Sequence, residues 1–362
     1  MTPNGVVSLT GCGGLYLHGG TGWLCHKYGL AVDNIIKMNL ILADGTVKNL
    51  DLQSEGEDKE LFYATRGCSG SLGISTSFTV RTYPMEMVTG GLWLMLDGEQ
   101  YSATSKLMRL GRDLLLEQEK SGDRKFFGGI YMMNVPPEGF IPEEYHGKPC
   151  TCVWVASWGT DEAAQQMVDQ FVDRAIVFGK PPAPMPFPIF NLLMSGPFLA
   201  FPPLATYWKG AFTVTLPDDR IDKMVNLWST HEPWLNASIT GVDFMGGKAG
   251  MEHAKKTLRA KDHSVSSLRS HLFSFPFLMY FPKGNNEFFE KARTMARGLA
   301  GIWDDANVTA YSNYISDLGD SGEERKRETD LMFESNERVN AVKTKVDPAN
   351  VFTRSVIPAS TM

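Results

Sequence analysis

Thr10-Gly11-Cys12-Gly13-Gly14-Leu15-Tyr16-Leu17-His18-Gly19-Gly20-Thr21-Gly22-Trp23 is the stretch on which the interpretation of this chain depends. Six of its residues are glycines. Glycine at this density permits left-handed backbone and lets main-chain N–H groups come close to a ligand, as in loops that hold a phosphate or a flat ring. The alternative is a pair of tight turns without a ligand, and the spacing alone leaves both interpretations open.

Two common nucleotide-binding motifs do not fit these residues. A Rossmann fingerprint that starts at Gly11 requires glycine at position 16, where the chain has Tyr16, and no Gly-Lys-Ser/Thr follows as a P-loop would need. A second glycine cluster at residues 66–74 precedes a strand-like run at 75–81. It does not satisfy the GxSxG pattern, so Ser69 and Ser71 are poor candidates for a nucleophile.

Length and composition bound the class of protein. The chain has 362 residues, of which 43% are hydrophobic and 21% charged, so it can bury a large core and is not expected to be disordered. The formal net charge is −6, and acidic and basic residues are interspersed. This pattern gives no electrostatic footprint for nucleic acid and favours a small-molecule partner.

Cysteine usage and apolar runs exclude further classes. The five cysteines form an odd set without CxxC spacing, so we expect neither a disulfide framework nor a zinc site, and no metal is predicted. The first residues lack a basic region followed by an apolar run, so no signal peptide is predicted. Residues 187–205 are apolar but contain four prolines, which indicates a buried loop or lid and not a membrane span.

After residue 86 the pattern changes to short β-type runs that alternate with amphipathic helices. This is typical of an α+β layer in which helices cover a sheet. Apolar spacing predicts helices around Leu107 to Leu115, Met167 to Ala175 and Ile221 to Trp228, and also over 286–300 and 335–346. The predicted strands are 127–132, 152–156, 239–244 and 272–281.

An ordered set of short motifs gives the chain a specific resemblance. These are Thr-Gly-x-Gly-Gly at 10–14, Leu-x-Gly-Gly-x-Gly-Trp-Leu at 17–24, Lys-Tyr-Gly-Leu-x-x-Asp-Asn at 27–34, Ala-Asp-Gly at 43–45, Asp-x-x-Leu-Phe-x-Ala-x-Arg-Gly at 58–67 and Leu-Gly-Ile-x-Thr-Ser-Phe at 72–78. Together they resemble the berberine-bridge-enzyme-like FAD-linked oxidases, which belong to the vanillyl-alcohol-oxidase and p-cresol-methylhydroxylase type of flavoprotein.

The resemblance implies an α+β fold of three parts. Residues 1–85 would be the C-terminal part of an FAD-binding PCMH-type domain, incomplete at its N-terminus. Residues 86–325 would be a substrate domain with an antiparallel sheet backed by helices, and residues 326–362 would return to the FAD domain. Family members normally begin with a segment whose Ser-Gly-Gly-His histidine often bonds to the flavin, and this segment is expected upstream in the same chain or in another chain.

The same resemblance assigns the cofactor and the site residues. FAD is the implied cofactor, and the residues expected to bind it are Thr10, Gly11, Gly13, Gly14, Gly19, Gly20, Gly22, Asp33, Asn34, Gly73, Ile74 and Asn313. Tyr314 is the first candidate for the catalytic base and Tyr311 the second, because a tyrosine can take the substrate proton if nearby groups lower its pKa. The alternative is that both tyrosines are ordinary core aromatics.

Several positions depart from the family pattern. His18 stands where glycine is usual, Ser71 where asparagine is common, and Cys12 is offset from the cysteine of bicovalent members, so no second covalent link is predicted. In relatives the strand that faces the ring often carries a polar residue; here it reads Phe-Pro-Phe at 275–277 and supplies no base, which fits either an apolar substrate pocket or lost activity. For Asp243, Glu252 and His253 we expect solvated surface roles, because charged side chains are mostly exposed.

The implied function is FAD-dependent oxidation of an alcohol, sugar or secondary-metabolite C–H bond. A hydride would pass to the flavin, and oxygen or another acceptor would reoxidise it. The alternative is a non-catalytic binding protein, or a decayed remnant of such an oxidase, that keeps the substrate-domain fold without holding flavin.

Overall fold

The computed structural model describes residues 1–98, 101–138, 141–172, 176–193, 195, 204–232, 237–257, 264, 266–304 and 308–353. It contains two antiparallel sheets. The first has three strands in the order β2-β1-β3, formed by β1 (Ile35–Ile41), β2 (Val47–Asp51) and β3 (Ile74–Val80). The predicted Asp-Gly turn joins β1 to β2, and Gly45 has the positive φ of 83° that favours glycine there.

The second sheet has eight strands, all paired antiparallel, in the order β7-β4-β6-β5-β10-β11-β9, with β8 also paired to β4. Its strands are β4 (Met87–Leu96), β5 (Phe126–Asn134), β6 (Pro149–Trp158), β7 (Ile176–Phe178), β8 (Ala183–Pro186), β9 (Ala205–Thr213), β10 (Ile239–Phe244) and β11 (Phe273–Phe281). The four predicted strands are therefore confirmed, with β10 at its predicted bounds.

Three short or medium helices lie in the first part of the chain: α1 (Cys12–Leu17), α2 (Cys25–Tyr28) and α3 (Gly56–Cys68). The later helices are α4 (Ser102–Ser121), α5 (Glu162–Asp169), α6 (Phe187–Leu192), α7 (Asp218–Trp228), α8 (Lys248–Thr257), α9 (Asn286–Gly301), α10 (Gly322–Met332) and α11 (Asn336–Val346). Helices α4, α5 and α9 pack on the second sheet, and α7 packs on α4 and α9, which confirms an antiparallel sheet backed by helices.

Both faces of the second sheet are covered. One face and its helices form an apolar core that includes Trp93, Phe126 and Trp228. The other face packs on Trp23 from the first part of the chain and on Phe190 of α6. Burial on both faces explains why these strands read as continuous apolar runs in place of clear alternation.

Two sequence predictions need correction. The helix predicted through Met167, Phe171 and Ala175 ends earlier, at Asp169; Phe171 packs in the core beyond the helix, and Ala175 lies outside the described residues. The segment predicted as a loop or lid over 187–205 begins with helix α6, and most of its remainder, residue 194 and residues 196–203, lies outside the described residues.

The C-terminal helix α11 packs against α3 of the first part of the chain. Arg338 pairs with Glu60, and the buried ammonium of Lys343 donates to the backbone oxygen of Ser71 at 2.8 Å. Lys343 also pairs with Asp347 just beyond the helix. No helix among the described residues is both long and apolar enough to cross a bilayer.

Candidate functional site

A small cavity of about 60 Å³ lies between one face of the second sheet and the start of the chain. Its walls come from five adjacent strands, from the first residues and from the segment after β11 and α9, and they are mainly apolar or aromatic. The lining residues are Val6, Val7, Tyr131, Met133, Trp154, Trp208, Ile239, Asp243, Pro276, Leu278 and Tyr314. Asp243 is the one carboxylate in this set.

Asp243 is buried, with 2% of its surface exposed, so the expectation of a solvated surface role was wrong. Every residue of β10 is buried, because the sheet is covered on both faces. The carboxylate accepts a hydrogen bond from the hydroxyl of Tyr131 on β5. Ser274 on β11 lies directly opposite Asp243 and donates to its Oδ2 atom at 3.0 Å.

Two glycines allow Tyr131 to reach Asp243. A Cβ atom added at Gly129 would lie 2.1 Å from the Tyr131 hydroxyl oxygen, and one added at Gly241 would lie 2.8 Å from Cδ1 of the same ring. Both distances are too short for real contacts. The tyrosine ring therefore lies along the sheet in space that only glycine leaves free, which is one reason for glycine inside a strand.

The surroundings of Asp243 make it a candidate proton acceptor. Desolvation raises its pKa to about 7, although the hydrogen bonds from Tyr131 and Ser274 act in the opposite direction. Removal from water disfavours the charged form, whereas donors to the carboxylate favour it. A carboxyl group that titrates near neutral pH can exchange a proton with a substrate hydroxyl under physiological conditions.

Tyr314 lines the same cavity, but its neighbours do not lower its pKa as a catalytic base would require. Its ring stacks on Trp208 with the ring centroids 4.6 Å apart, and the absence of a side chain at Gly210 leaves room for it. Desolvation of the phenol, followed by the nearby Asp243 and Tyr311, raises the pKa of Tyr314. The described groups around Tyr314 therefore favour its neutral form, which can donate a hydrogen bond.

Tyr311 is buried behind Tyr314 and does not line the cavity. Its hydroxyl oxygen accepts from the amide of Asn313 at 2.8 Å, and the same amide donates to the backbone oxygen of Gly14 at 3.1 Å. Desolvation raises the pKa of Tyr311 despite the donors from Asn313, Gly20 and Thr21. The Tyr-x-Asn-Tyr segment thus joins the cavity to helix α1.

The predicted cofactor glycines fall into two groups. Gly11, Gly13 and Gly14 are exposed, and a Cβ atom at any of them would meet no atom within 4 Å. Buried Gly19, Gly20, Gly22 and Gly73 instead pack against protein: a Cβ at Gly22 would lie 1.9 Å from the backbone oxygen of Asn4. Close packing accounts for the second group without a ligand, so the cradle hypothesis depends on the first.

Of the other residues predicted to bind the cofactor, two are exposed and two are buried in contacts with protein groups. Thr10 is exposed beside α1, and Ile74 has 58% of its surface exposed on β3. Asp33 is buried and pairs with Arg269 at 2.5 Å, and it also accepts from the backbone of Leu30. The side chain of Asn34 donates to the backbone of the 28–30 loop and accepts from Tyr83. Asp33 therefore ties the first part of the chain to the later segment that carries Arg269, whereas Asn34 makes its contacts within the first part.

The remaining candidates form hydrogen bonds or ion pairs with other protein groups. His18 lies near α1, where its ring contacts the backbone oxygen of Gly14 at 3.0 Å. His253 is hydrogen-bonded to Tyr83 at 2.7 Å, and Lys209 forms a largely buried ion pair with Glu328 at 2.6 Å. Cys150 and Cys152 are free and buried, and no group of potential metal ligands occurs in the described part of the chain.

Comparisons with known proteins agree with the predicted resemblance. No protein-family model matches the chain. It is 40% identical over 92 residues to an FAD-linked oxidoreductase of Dictyostelium discoideum, a match that covers 25% of this chain and 20% of that protein. It is 48% identical over 80 residues to O-acetylstemmadenine oxidase of Catharanthus roseus, which covers 22% of this chain and 14% of the relative.

The fold has solved counterparts. The xylooligosaccharide oxidase of Myceliophthora thermophila, solved with xylobiose, superposes with a TM-score of 0.70 at 18% identity, covering 99% of this chain and 74% of that one. The resemblance to FAD-linked oxidases and the α+β fold of that group are thereby confirmed, and FAD is the cofactor named for the first relative. The matches span only 20% and 14% of the length of these two curated relatives.

Proposed function

We propose that this chain provides the substrate cavity, and one face of the cofactor site, of an FAD-dependent oxidoreductase that oxidises a hydroxyl-bearing carbon. Its substrate is an alcohol, a sugar or a secondary metabolite. The observation that carries the proposal is Asp243, a buried carboxylate with a pKa of about 7 in the wall of a cavity. A titratable group that desolvation strongly shifts beside a cavity is a candidate for a functional residue.

In this proposal each residue of the cavity has a separate role. Asp243 accepts the proton of the substrate hydroxyl, while Tyr131 and Ser274 orient its carboxylate through their hydrogen bonds. Tyr314 donates a hydrogen bond to the substrate oxygen, and Tyr311 and Asn313 hold that segment in place. FAD supplies the redox chemistry, because its ring accepts a hydride and is then reoxidised by oxygen or another acceptor.

The residues present fit FAD on one face of the chain. Gly11, Gly13 and Gly14 leave open space above α1, and the exposed Asn313 lies against the same helix. An open, glycine-lined surface lets a flat ring or a pyrophosphate approach the backbone closely. We therefore propose residues 1–85 as part of the cofactor domain, 86–325 as the substrate domain and 326–362 as the segment that returns to the first.

The first test is cofactor retention. The protein is purified with FAD, alone and together with any upstream segment that its gene encodes or a co-expressed partner, and the visible spectrum is recorded before and after acid precipitation. We expect a flavin band that stays with the folded protein. Absence of bound flavin from every preparation would reject the oxidase and leave the binding-protein alternative.

The second test addresses the chemistry. Anaerobic addition of alcohols should bleach the flavin band of the wild type, and Asp243→Asn should bleach at least about 100-fold more slowly, as for loss of a general base. Ser157→Ala, a conservative change in buried strand β6 outside the cavity, is the matched control and should bleach at the wild-type rate. Equal rates for Asp243→Asn and the wild type would remove Asp243 from the mechanism.

A further inference from the structure

A second cavity lies on the side of β9 that faces away from Asp243. Successive residues of a strand point to opposite faces, so Lys209 and Ala211 lie on the face opposite to Trp208. Trp208 lines the cavity of Asp243, whereas Lys209 and Ala211 line a cavity of about 180 Å³ between β9, the end of α9 and helix α10. The proposed function makes no use of this space.

Small residues keep this second cavity open. Its apolar lining includes Ala211 of β9, Ala300 and Gly301 of α9, and Ala310. A Cβ atom added at Gly301 would meet no atom within 4 Å. A cavity of roughly 150 Å³ is large enough for benzene, so about 180 Å³ accommodates one short branched or cyclic side chain.

Charged side chains of both signs surround the apolar lining. Among the described lining residues, three are cationic and three are anionic: Lys209, Arg297, Arg327, Asp304, Glu324 and Glu328. A ligand with a single net charge would disturb this balance in a partly desolvated cleft, where an uncompensated charge is unfavourable. A ligand that carries one positive and one negative group preserves the balance.

Lys209 is the most deeply buried of these charges. Its side chain is 9% exposed, and its ammonium donates to Glu328 at 2.6 Å. This is the only hydrogen bond of that ammonium within the described part of the chain, although an ammonium has three N–H donors. Glu328 lines the cavity as well, so the ion pair borders the open space. A carboxylate from a ligand would satisfy the remaining donors of Lys209, because a buried donor without an acceptor is unfavourable.

A second ion pair crosses the cleft at its surface. Arg327 of α10 pairs with Asp304 beyond the end of α9, and the two side chains are 50% and 51% exposed. An exposed pair of this kind contributes little stability, so a ligand can separate it easily. The guanidinium of Arg327 can then hold both oxygens of a carboxylate, and Asp304 can accept from an ammonium group.

We propose that this cleft binds a compact amino acid in its zwitterionic form, at a site separate from the cavity of Asp243. The carboxylate of the ligand accepts from Lys209 and Arg327, and its ammonium donates to Asp304. Its short apolar side chain lies against Ala300. Binding at this site does not involve flavin, so the proposal goes beyond the proposed function and does not depend on it.

Calorimetry on the wild-type protein, with and without FAD, tests the ligand class. The probes are L-valine, isobutyrate and isobutylamine, which share a branched carbon body but carry two, one and one charged groups. We expect L-valine to bind at one site with a Kd of about 1 mM or tighter. Each analogue with a single charge should bind at least about 10-fold more weakly.

Two variants test the position of the site. Ala300→Leu fills the cavity and Arg327→Gln removes the guanidinium, so each should weaken the binding of valine at least about 10-fold. Thr294→Leu and Arg325→Gln, at exposed positions of the same two helices outside the cavity lining, are the matched controls and should bind valine as the wild type does. Thermal unfolding shows whether each variant is folded, and the exposed Arg327→Gln carries the test if Ala300→Leu does not fold.

The outcomes separate this proposal from the proposed function. No saturable binding of valine, equal affinity for either single-charge analogue, or unchanged affinity in either folded cavity variant would overturn the zwitterion site. Equal weakening in the controls would also overturn it. Weaker binding in the cavity variants alone supports the site, and because flavin retention and bleaching are measured separately, rejection of the oxidase would leave that result intact.

Discussion

Ser274 donates a hydrogen bond to Asp243 from the position directly opposite it in the neighbouring strand, with 3.0 Å between the two oxygens. This donor stabilises the carboxylate and so holds the pKa of Asp243 below the value that burial alone would give. The pair therefore links strand register to the pH at which the candidate base becomes active.

Ser274→Ala should move the acidic limb of the pH–rate profile to higher pH. Loss of the donor raises the pKa of Asp243 above about 7, so less carboxylate is present at neutral pH. The measurement is kcat/KM for alcohol oxidation between pH 5 and 9. Ser157→Ala serves as the control, and a limb that stays at the wild-type position in Ser274→Ala would show that Asp243 does not set it.

Asp243→Asn should gain stability relative to the wild type as the pH rises. The folded-state pKa is about 7 and the unfolded value about 3.9, so the stability linked to this raised pKa is present below pH 4 and is lost as the pH rises through 7. Because asparagine does not titrate, the free energy of unfolding of the variant minus that of the wild type should grow by up to about 4 kcal/mol between pH 4 and 8. Urea unfolding at both pH values measures it, and a constant difference would contradict the buried, titrating carboxyl.

Gly129→Ala should displace Tyr131 and weaken the protein. The added Cβ would lie 2.1 Å from the tyrosine hydroxyl oxygen, so the ring must move away from Asp243 at a cost of about 1–3 kcal/mol. Thermal unfolding gives the loss of stability, and the pH–rate profile should shift as it does in Ser274→Ala. Gly13→Ala, which meets no atom within 4 Å, should cause no loss of stability. Equal stability of the two variants would contradict the position of Tyr131.

Arg269→Met should strongly destabilise the first part of the chain. It would leave the carboxylate of Asp33, whose side chain is 1% exposed, without its cationic partner, and breaking such a pair costs about 3–5 kcal/mol. Asp33→Asn combined with Arg269→Met should recover much of the loss, because no buried charge then stays unpaired; Glu334, which also pairs with Arg269, is 42% exposed. Denaturant unfolding measures both. Lys345→Met, which breaks an exposed pair with Glu57, is the control and should leave the midpoint unchanged.

Much of the local structure could be predicted from the sequence. Strand β10 and the start of helix α9 lie where apolar pattern and turn residues placed them, and Asn285 caps α9 through hydrogen bonds to the N–H groups of Glu287 and Phe288. These features depend on neighbours within a few residues. The prediction extended helix α5 beyond its observed end at Asp169, because Phe171 continues the apolar pattern although it packs in the core from outside the helix.

The candidate base could not be predicted in the same way. Asp243 and Tyr131 are 112 positions apart, and only the pairing of β10 with β5 brings them together. An aspartate in a strand suggests a solvated face, because one strand's pattern does not reveal that both faces of its sheet are covered. The paired glycines at 128–129 were a usable signal, since glycine inside a strand often marks the close approach of another group.

The packing of α11 on α3 also has a consequence for synthesis on the ribosome. All strands of the eight-stranded sheet precede residue 282, whereas the core around Leu61 and Phe62 also contains Met332, Phe333, Val339 and Val342. Because domains fold as their residues leave the ribosome, the sheet formed later in the sequence can assemble first. The core around α3 can be completed only after the residues beyond 330 have been synthesised. A nascent chain halted near residue 320 would therefore expose the apolar side of α3 to chaperones.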